Sequence, residues 1–324
     1  MIKLSYQKRK DLKLNMKSEN KLYKNKASRL WSEIKKNRFM YFLLLPSVVL
    51  VILFTYIPFG GVRIAFQEYN IYNPDASNWI GLENFKEILS SKGMLKAIWN
   101  TLAISLLSLV TTFPAGIIFA LMINELKNGI FKKTVQTVSY LPHFLSWISV
   151  IGIASGFYAI SGSLNDLSLM FGADERVMFL AQQSFFVPNV IILSLWKEVG
   201  WGSIIYLAAI SGVDPSLYEA ATIDGAGRFR QTLSVTLPSI MPTVVIMLIL
   251  KIGSLLASNF ELIYGLQNPF VDYEVLSTVI YKQGIEGGEY AIATAFGLFQ
   301  GVVSLILIIT ANFFSKKAAD ISIV

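Results

Sequence analysis

The sequence has no cysteine, one histidine and few charged residues. Without cysteine there can be no disulfide, haem thioether or thiolate zinc site. Only 15% of the 324 residues are charged, whereas soluble globular domains average about a quarter. Hydrophobic residues make up 54%. This imbalance places the chain in the membrane class.

The sequence also lacks recognisable catalytic and nucleotide-binding motifs. No G-x-x-x-x-G-K-[ST] phosphate loop occurs, so ATP cannot be bound by that route. No Ser/His/Asp set or carboxylate pair stands out, and we predict no catalytic residue, metal site or cofactor. The lone His143, in "YLPHFLSW", is more typical of a hydrogen-bonded interface residue than of a base or ligand. Energy for any transport must come from a partner or an ion gradient.

Six apolar stretches are long enough to cross the hydrocarbon core, which takes roughly 20 helical residues. Four contain no charged residue, and the fourth and fifth in chain order are interrupted by charges. The predicted fold is therefore an all-α integral membrane protein with six transmembrane helices. The stretches are Met40–Phe59, Ala97–Ile123, Val138–Ile160, Val187–Ile210, Ser239–Leu262 and Tyr290–Phe314.

The positive charges predict the orientation of these spans. Residues 1–38 contain 13 Lys or Arg against three acids, and 20 of the 28 basic residues fall on one side of the predicted topology. Because cytoplasmic segments are enriched in Lys and Arg, we predict that both termini are cytoplasmic. The Lys-rich N-terminus also resembles a nucleic-acid-binding arm, but the topology signal explains it better, and no nucleic-acid partner is predicted.

The N-terminal region does not resemble a cleavable signal, since its basic part is long and span 1 has full length. We expect span 1 to remain as an anchor. Pro114, Pro142, Pro188 and Pro242 lie inside predicted spans, where proline usually produces a kink. Such kinks suit a moving pore and are equally common in static bundles.

The segment "EAATIDGAG" (219–227) is polar and rich in small residues, unlike its surroundings. Asp214 and Pro215 form a favourable helix start, and Gly225 is placed to end that helix in a left-handed cap. We predict a second helix from Ala226 to about Val235, ended by Pro238. The result is a pair of short helices joined by a glycine elbow.

The composition of this segment favours docking to a partner. The small side chains of Ala220 and Ala221 allow a helix to sit deep in a groove, and a partner arginine could pair with Glu219. The alternative is a loop that only connects two spans. Connections in helical bundles usually take 2–8 residues, whereas the whole stretch between spans 4 and 5, residues 211–238, has nearly thirty.

The stretch "EAATIDGAGRFRQTLSVTLPSIMP" (219–242) resembles the EAA loop of permease subunits of bacterial binding-protein-dependent ABC importers. Gly225, Val235, Leu237 and Pro238 occupy the motif positions, with Val235 in place of the commoner Ile. Three stretches are similar to the carbohydrate branch of this family, of the LplB/YteP polysaccharide and oligosaccharide type. They are "LLLPSVVLVILFTYIPFGGVRIAFQEYNI", "WIGLENFKEIL" and the C-terminal part of the chain. The resemblance implies a MalF/MetI-like type I importer fold.

The resemblance also implies partners and site residues. In this family the EAA loop is a coupling helix that sits in a cleft of the ATPase subunit. The resemblance assigns this coupling role to Glu219, Ala220, Ala221, Asp224 and Gly225. A second homologous permease in a heterodimer, two ATPase subunits and an extracellular sugar-binding lipoprotein are the implied partners. The implied location is the bacterial cell membrane.

On this basis the chain divides into four parts. They are a basic cytoplasmic arm (1–38), the first span with an extracellular loop (39–96), a core transmembrane domain (97–315) containing the EAA loop (212–242), and a cytoplasmic tail (316–324).

Charges inside membrane spans are costly and are usually functional or paired. Lys197 and Glu198 could pair with neighbours where span 4 breaks at "EVGWG". On one straight helix, Lys251 and Glu261 would lie roughly 15 Å apart, too far for an ion pair.

A sugar pathway would suit a group of residues near the end of span 5. The hydrogen-bonding side chains are Asn259, Glu261 and Tyr264, and Phe260 could stack on a sugar ring. The alternative is that these residues pack against the partner permease.

The predicted function is a non-catalytic permease subunit that imports a carbohydrate, an oligosaccharide by resemblance. An importer of the same architecture for another solute, such as phosphate or an amino acid, remains an alternative. A third is an ion-driven transporter or channel, against which the docking loop argues.

Overall fold

The structure is a computed structural model that describes residues 32–319. Almost all of this part is helical, in line with the predicted fold class. The α-helices are α1 (Arg38–Val51), α2 (Ile57–Phe59), α3 (Glu83–Ser90), α4 (Lys92–Glu125), α5 (Ile130–Tyr140), α6 (Trp147–Phe157), α7 (Ser163–Met170), α8 (Gln183–Ser211), α9 (Pro215–Ile223), α10 (Arg228–Gln231), α11 (Leu237–Gly253), α12 (Phe260–Leu266), α13 (Leu276–Val279) and α14 (Tyr290–Ala319).

Two compact units divide the chain, residues 1–62 and 63–324. In the first, a π-helical turn at Ile52–Tyr56 joins α1 to α2. This turn lies directly before Pro58, whose ring lacks an N–H and crowds the carbonyl four residues earlier. Residues 32–36 are helical. The rest of the basic arm lies outside the described residues.

The second unit begins with a small strand pair, β1 (Gln67–Glu68) and β2 (Asn78–Trp79), which run antiparallel. The Asn84 side chain donates to the carbonyl of Ala65 at 2.9 Å and ties α3 to this turn. In "WIGLENFKEIL" the near-helical spacing of Ile80, Phe85, Ile88 and Leu89 predicts a short surface helix, and α3 confirms it. Within residues 32–319 these strands form the one sheet, and Asn268 and Val271 add an isolated antiparallel bridge.

Among the described residues, five helices are long and apolar enough to cross a membrane. They are Arg38–Phe66, Lys92–Glu125, Gln183–Ser211, Arg228–Gly253 and Tyr290–Lys317. A sixth candidate is a bent pair, described next. Five of the six predicted spans therefore correspond to long helices, and the chain is a multi-pass membrane protein.

The predicted third span, Val138–Ile160, is not a single helix. The segments Ile130–Phe144 and Trp147–Phe157 meet at a bend of 104°. Pro142 cannot donate a backbone hydrogen bond, and the chain passes through a 3₁₀ turn at Leu141–Phe144. The hydroxyl of Ser146 then accepts from the backbone N–H of Ser149 at 3.2 Å and starts α6.

The predicted fifth span also differs from the structure at both ends. It begins earlier, because Arg228–Gly253 forms one continuous helix with a π-helical turn at Thr232–Thr236. Pro238 therefore does not end a helix; the wider turn before it accommodates the missing N–H and the crowded carbonyl. The span stops at Gly253, so Lys251 and Glu261 do not share a helix and the axial distance predicted from sequence does not apply.

α4 and α8 pack along each other in the centre of the second unit. The two helices lie close together at Gly116, where a Cβ would be in ordinary contact, 3.6 Å from the carbonyl carbon of Gly202. α8 has the lowest mean hydropathy of the five long helices, 1.4. It is also the most buried, so its polar residues face protein rather than lipid.

The segment that follows α11 is held against the bundle by buried apolar side chains. Leu262 and Ile263 of α12 share a core with Val150 and Ala154 of α6. This packing positions the non-helical stretch 254–259 beside α4 and α8.

Candidate functional site

The "EAATIDGAG" segment forms the elbow that the sequence predicts. The Asp214 carboxylate accepts from the backbone N–H of Ser216 at 2.9 Å, with Pro215 at the first position of α9. This hydrogen bond favours the charged form and lowers the pKa of Asp214. The predicted N-terminal cap is confirmed.

α9 ends in a Schellman motif around Gly225. Gly225 has a φ of 78°, its N–H donates to the carbonyl of Thr222 at 3.0 Å, and that of Ala226 donates to Ala221 at 2.9 Å. These two bonds satisfy carbonyls that the helix end leaves free. The left-handed glycine cap predicted from sequence is therefore confirmed.

The second helix begins at Arg228, two residues later than predicted, with Gly227 as its extended N-terminal neighbour. It continues into the membrane helix instead of stopping at Pro238. The predicted coupling segment is thus one short helix, an elbow, and the end of the long apolar helix Arg228–Gly253.

Two side-chain links that the sequence analysis missed hold the elbow together. The Tyr218 hydroxyl lies 2.9 Å from that of Thr236, which is 2% exposed. The Gln231 amide donates to the Thr222 hydroxyl at 2.9 Å and to the Ala226 carbonyl at 3.0 Å. No local pattern indicates either link, because both join residues separated by the elbow.

The surface of this element is open to solvent. Glu219, Ala220, Asp224 and Gly225 are exposed and Ala221 is half-buried. Large apolar side chains accompany them: Ile223, one turn after Glu219, is 87% exposed and Phe229 is 78% exposed. A carboxylate flanked by small residues and uncovered apolar groups is suited to protein docking.

A second candidate site is a cavity of about 380 Å³ among α4, α8 and α11. Its lining combines apolar side chains with hydroxyl groups and two charged residues, Glu198 and Lys251. Ser105, Ser108 and Thr112 contribute from one face of α4, where their spacing of three and then four residues is the signal that could have predicted them.

The structure separates the four predicted pathway residues. Asn259 lines the cavity, and its side-chain oxygen also caps α12 by accepting from the N–H of Leu262 at 3.2 Å. Phe260, Glu261 and Tyr264 are absent from that lining. Phe260 stacks on Tyr264 with ring centroids 5.2 Å apart, and Glu261 is exposed.

Tyr264 instead borders another cavity, of about 470 Å³, together with Asn268 and Lys282. Its hydroxyl donates to Glu286 at 2.9 Å, and this hydrogen bond raises the pKa of Tyr264. Lys282 pairs with Glu274 at 2.5 Å. Burial raises the pKa of Glu274, but the hydrogen bonds from Lys282 and Thr278 outweigh it and leave the pKa lowered.

The charged pair in α8 lies beside the bend between α5 and α6. The ammonium of Lys197, 4% exposed, donates to the backbone carbonyl of His143 at 2.6 Å. The carboxylate of Glu198 lies 3.2 Å from Nδ1 of His143, as expected of a hydrogen-bonded interface histidine. The imidazole stacks on Trp201 at 4.3 Å.

These contacts correct one prediction about span 4. α8 does not break at "EVGWG" but runs unbroken from Gln183 to Ser211. Gly200 serves close packing instead, because a Cβ there would collide with the backbone of Ser139 in α5.

Comparison with known proteins places this architecture in context. Residues 112–320 match the family described as binding-protein-dependent transport system inner membrane component. Protein LplB of Bacillus subtilis is 39% identical over 88% of this chain and 90% of its own. The polygalacturonan/rhamnogalacturonan transport system permease protein YteP of the same organism is 40% identical over 92% of this chain and 94% of its own.

Solved structures agree. One chain of a bacterial ABC transporter that imports the acidic polysaccharide alginate is 40% identical, with a TM-score of 0.82, over 90% of this chain and 99% of its own. A second structure of the bacterial alginate transporter, with an alginate pentasaccharide-bound periplasmic protein, gives 39% identity and a TM-score of 0.83 over 91% and 100%. The chain is therefore a MetI-like permease and belongs to the family of binding-protein-dependent transport system inner membrane components.

Proposed function

We propose that this chain is the membrane permease subunit of an ABC importer that moves an oligosaccharide into the cytoplasm. Support for the substrate class comes from the relatives, which include a polygalacturonan/rhamnogalacturonan permease and an alginate importer. ATP is hydrolysed in partner subunits, and this chain is not an enzyme.

The observation that carries the proposal is the exposed elbow of α9. Glu219, Ala220, Ala221, Asp224 and Gly225 form the surface that docks into an ATPase subunit. The Schellman motif fixes the angle of α9, and the Tyr218–Thr236 link joins α9 to the transmembrane helix. A displacement of α9 is therefore transmitted to span 5 through a hydrogen bond and a continuous helix rather than through a flexible loop.

The proposed assembly contains a second homologous permease, two ATPase subunits and an extracellular sugar-binding lipoprotein. Support comes from the alginate transporter, whose structure includes a periplasmic protein loaded with alginate pentasaccharide. The distribution of basic residues supports cytoplasmic termini and a cytoplasmic elbow. The proposed division is the arm at 1–38, the first span with its extracellular loop at 39–96, the core domain at 97–315 with the coupling loop at 212–242, and the tail at 316–324.

The cavity among α4, α8 and α11 is the proposed substrate path through this subunit, with Asn259 on its wall. Phe260, Glu261 and Tyr264 remain predicted pathway residues outside this cavity.

Reconstitution of the full assembly tests the function. The binding protein is first titrated with a panel of oligosaccharides, phosphate and amino acids. ATP hydrolysis and uptake are then measured in proteoliposomes with each bound solute. We expect an oligosaccharide to stimulate both. Stimulation by phosphate or an amino acid alone would support the other solute class, and ATP-independent uptake driven by an ion gradient would contradict an ABC importer.

A further inference from the structure

Among the described residues, Lys251 is the one cation on the wall of the cavity among α4, α8 and α11. The other charged residue there, Glu198, lies 3.2 Å from His143. Lys197, its neighbour in sequence, turns its ammonium to the carbonyl of His143 and over the Trp147 ring, 5.1 Å from the ring centroid. Within residues 32–319 the Lys251 ammonium has no hydrogen-bond or ion-pair partner.

An unpaired ammonium is unusual in this environment. The helix Arg228–Gly253 has a mean hydropathy of 2.2, and an ionisable group in such a span generally marks a substrate path or faces a partner. Lys251 lies in the last turn of α11, where the helix dipole favours a cation. The dipole stabilises the charge, but it leaves the three N–H donors of the ammonium without acceptors of their own.

The backbone next to Lys251 also borders the cavity and is irregular. Residues 254–259 are not helical, and Ser254, Ala257 and Ser258 line the cavity. At membrane depth, irregular backbone is tolerated where it is buried in protein or borders a water-filled cavity. The break places Lys251, which is exposed in this chain, at the edge of the cavity.

The facing helices add neutral hydrogen-bonding groups. Ser105 and Ser108 of α4 and Ser194 of α8 line the cavity. Their hydroxyls have no partner in the part of the chain that the structure describes. The lining thus offers hydroxyl groups suited to sugar hydroxyls and one ammonium suited to an anion, whereas the carboxylate of Glu198 on the same wall is turned to His143.

We propose that this cavity selects acidic saccharides, with the ammonium of Lys251 pairing with a sugar carboxylate. This inference rests on the proposed function and specifies its substrate class. A carboxylate supplies the acceptor that Lys251 lacks, and a charge-assisted hydrogen bond is about twice as strong as a neutral one. A neutral sugar of the same shape leaves the ammonium unpaired, so the site discriminates against it.

A cysteine reporter on the cavity wall tests the inference directly. The chain has no cysteine, so Ala257→Cys introduces a single thiol. In the purified full assembly, the rate of maleimide labelling at this position is measured with trigalacturonate or trimannuronate. The matched uncharged probes are α-1,4-galactotriose and β-1,4-mannotriose. Each measurement is made with and without ATP.

We expect at least one acidic trisaccharide to protect the thiol at a concentration roughly tenfold lower than its neutral counterpart, as one charged contact would give. Lys251→Met should abolish this preference, and Lys251→Arg, which keeps the charge, should retain it. Equal protection by acidic and neutral sugars, an unchanged preference in Lys251→Met, or no protection by any of the four would overturn the inference.

The rival occupant is an acidic residue of the partner permease. In that case Lys251→Met would weaken the heterodimer in size-exclusion chromatography while acidic and neutral sugars protect equally, and the inference would fall. Uptake by the unmodified assembly separates this failure from that of the proposed function. If the assembly imports a saccharide but acidic and neutral sugars protect the thiol equally, the proposed importer function is retained and only the selectivity for acidic sugars is rejected.

Discussion

Glu219 carries the only charge in the "EAA" triplet, and its carboxylate is exposed on α9. We predict that Glu219→Ala abolishes sugar uptake. If an ATPase arginine pairs with this carboxylate, its removal leaves a buried cation unpaired and weakens the interface by on the order of 2–5 kcal/mol. The measurement is uptake together with sugar-stimulated ATP hydrolysis in reconstituted assemblies.

Ser216→Ala is the matched control on the same helix. The backbone N–H that bonds to Asp214 is retained, so the helix cap survives and uptake should stay near the unmodified level. Gln231→Ala, although polar and near the elbow, is unsuitable as a neutral control because Gln231 bridges Thr222 and Ala226. Normal transport by the Glu219 variant at normal expression would indicate that the elbow only connects two spans and does not dock to an ATPase subunit.

Gly225 acts through its backbone rather than through packing. No atom would lie within 4 Å of a Cβ at this position, so any penalty comes from the φ of 78°. We predict that Gly225→Val strains the elbow by about 1–3 kcal/mol, tilts α9 and abolishes uptake while the membrane helices still insert. Gly225→Asn should be much milder, since asparagine tolerates this conformation. Equal loss in the two variants, measured as uptake against membrane-inserted protein, would show that the backbone conformation is not the cause.

Among the helices, α8 depends on a glycine at the point where it crosses α5. A Cβ on Gly200 would collide with the backbone of Ser139, whereas a Cβ on Gly202 meets no atom within 4 Å. We therefore predict that Gly200→Ala lowers the thermal unfolding temperature of the detergent-purified protein and its yield. Overpacking of this kind typically costs about 1–3 kcal/mol. Gly202→Ala, two residues further along the same helix, should leave the unfolding temperature and the yield near the unmodified values. Similar losses in both variants would contradict a steric collision specific to Gly200.

The same elements show what a sequence can and cannot predict here. Hydropathy located the spans, and local capping chemistry at Asp214 and Gly225 predicted the elbow, since these signals depend only on neighbouring residues. The bend near Pro142 and the early end of span 5 at Gly253 were missed. Both depend on partners distant in sequence: α8 supports the bend through Lys197, and a Cβ at Gly253 would meet Ile308 of α14.

The cavity is the feature least accessible from sequence. The sequence shows Lys251 as a charge inside an apolar stretch. Its proposed role in the cavity, however, depends on a helix break and on serines from two other helices. Three of the four predicted pathway residues are absent from this cavity, since the helix of span 5 ends at Gly253 and residues 254–259 are not helical. A straight continuation of that helix, which hydropathy suggests, would have placed them along one line.

For the molecule as a whole, the orientation in the membrane remains a prediction from the basic residues. The chain offers a clean test because it has no cysteine of its own. Single cysteines at Lys17, Gly227 and Lys317 should resist a membrane-impermeant maleimide in intact cells, whereas one at the exposed Asp75, between β1 and β2, should react.

Permeabilised cells provide the control for this topology prediction. After permeabilisation the cysteines at Lys17 and Lys317 should label, which shows that their earlier resistance reflected location. Gly227 should label more slowly, because the elbow is then expected to be covered by the ATPase, and removal of the ATPase should restore its reactivity. Labelling of Lys17, Gly227 or Lys317 from outside would reverse the orientation and place the elbow away from any cytoplasmic ATPase, so the coupling role of α9 would fail with the topology.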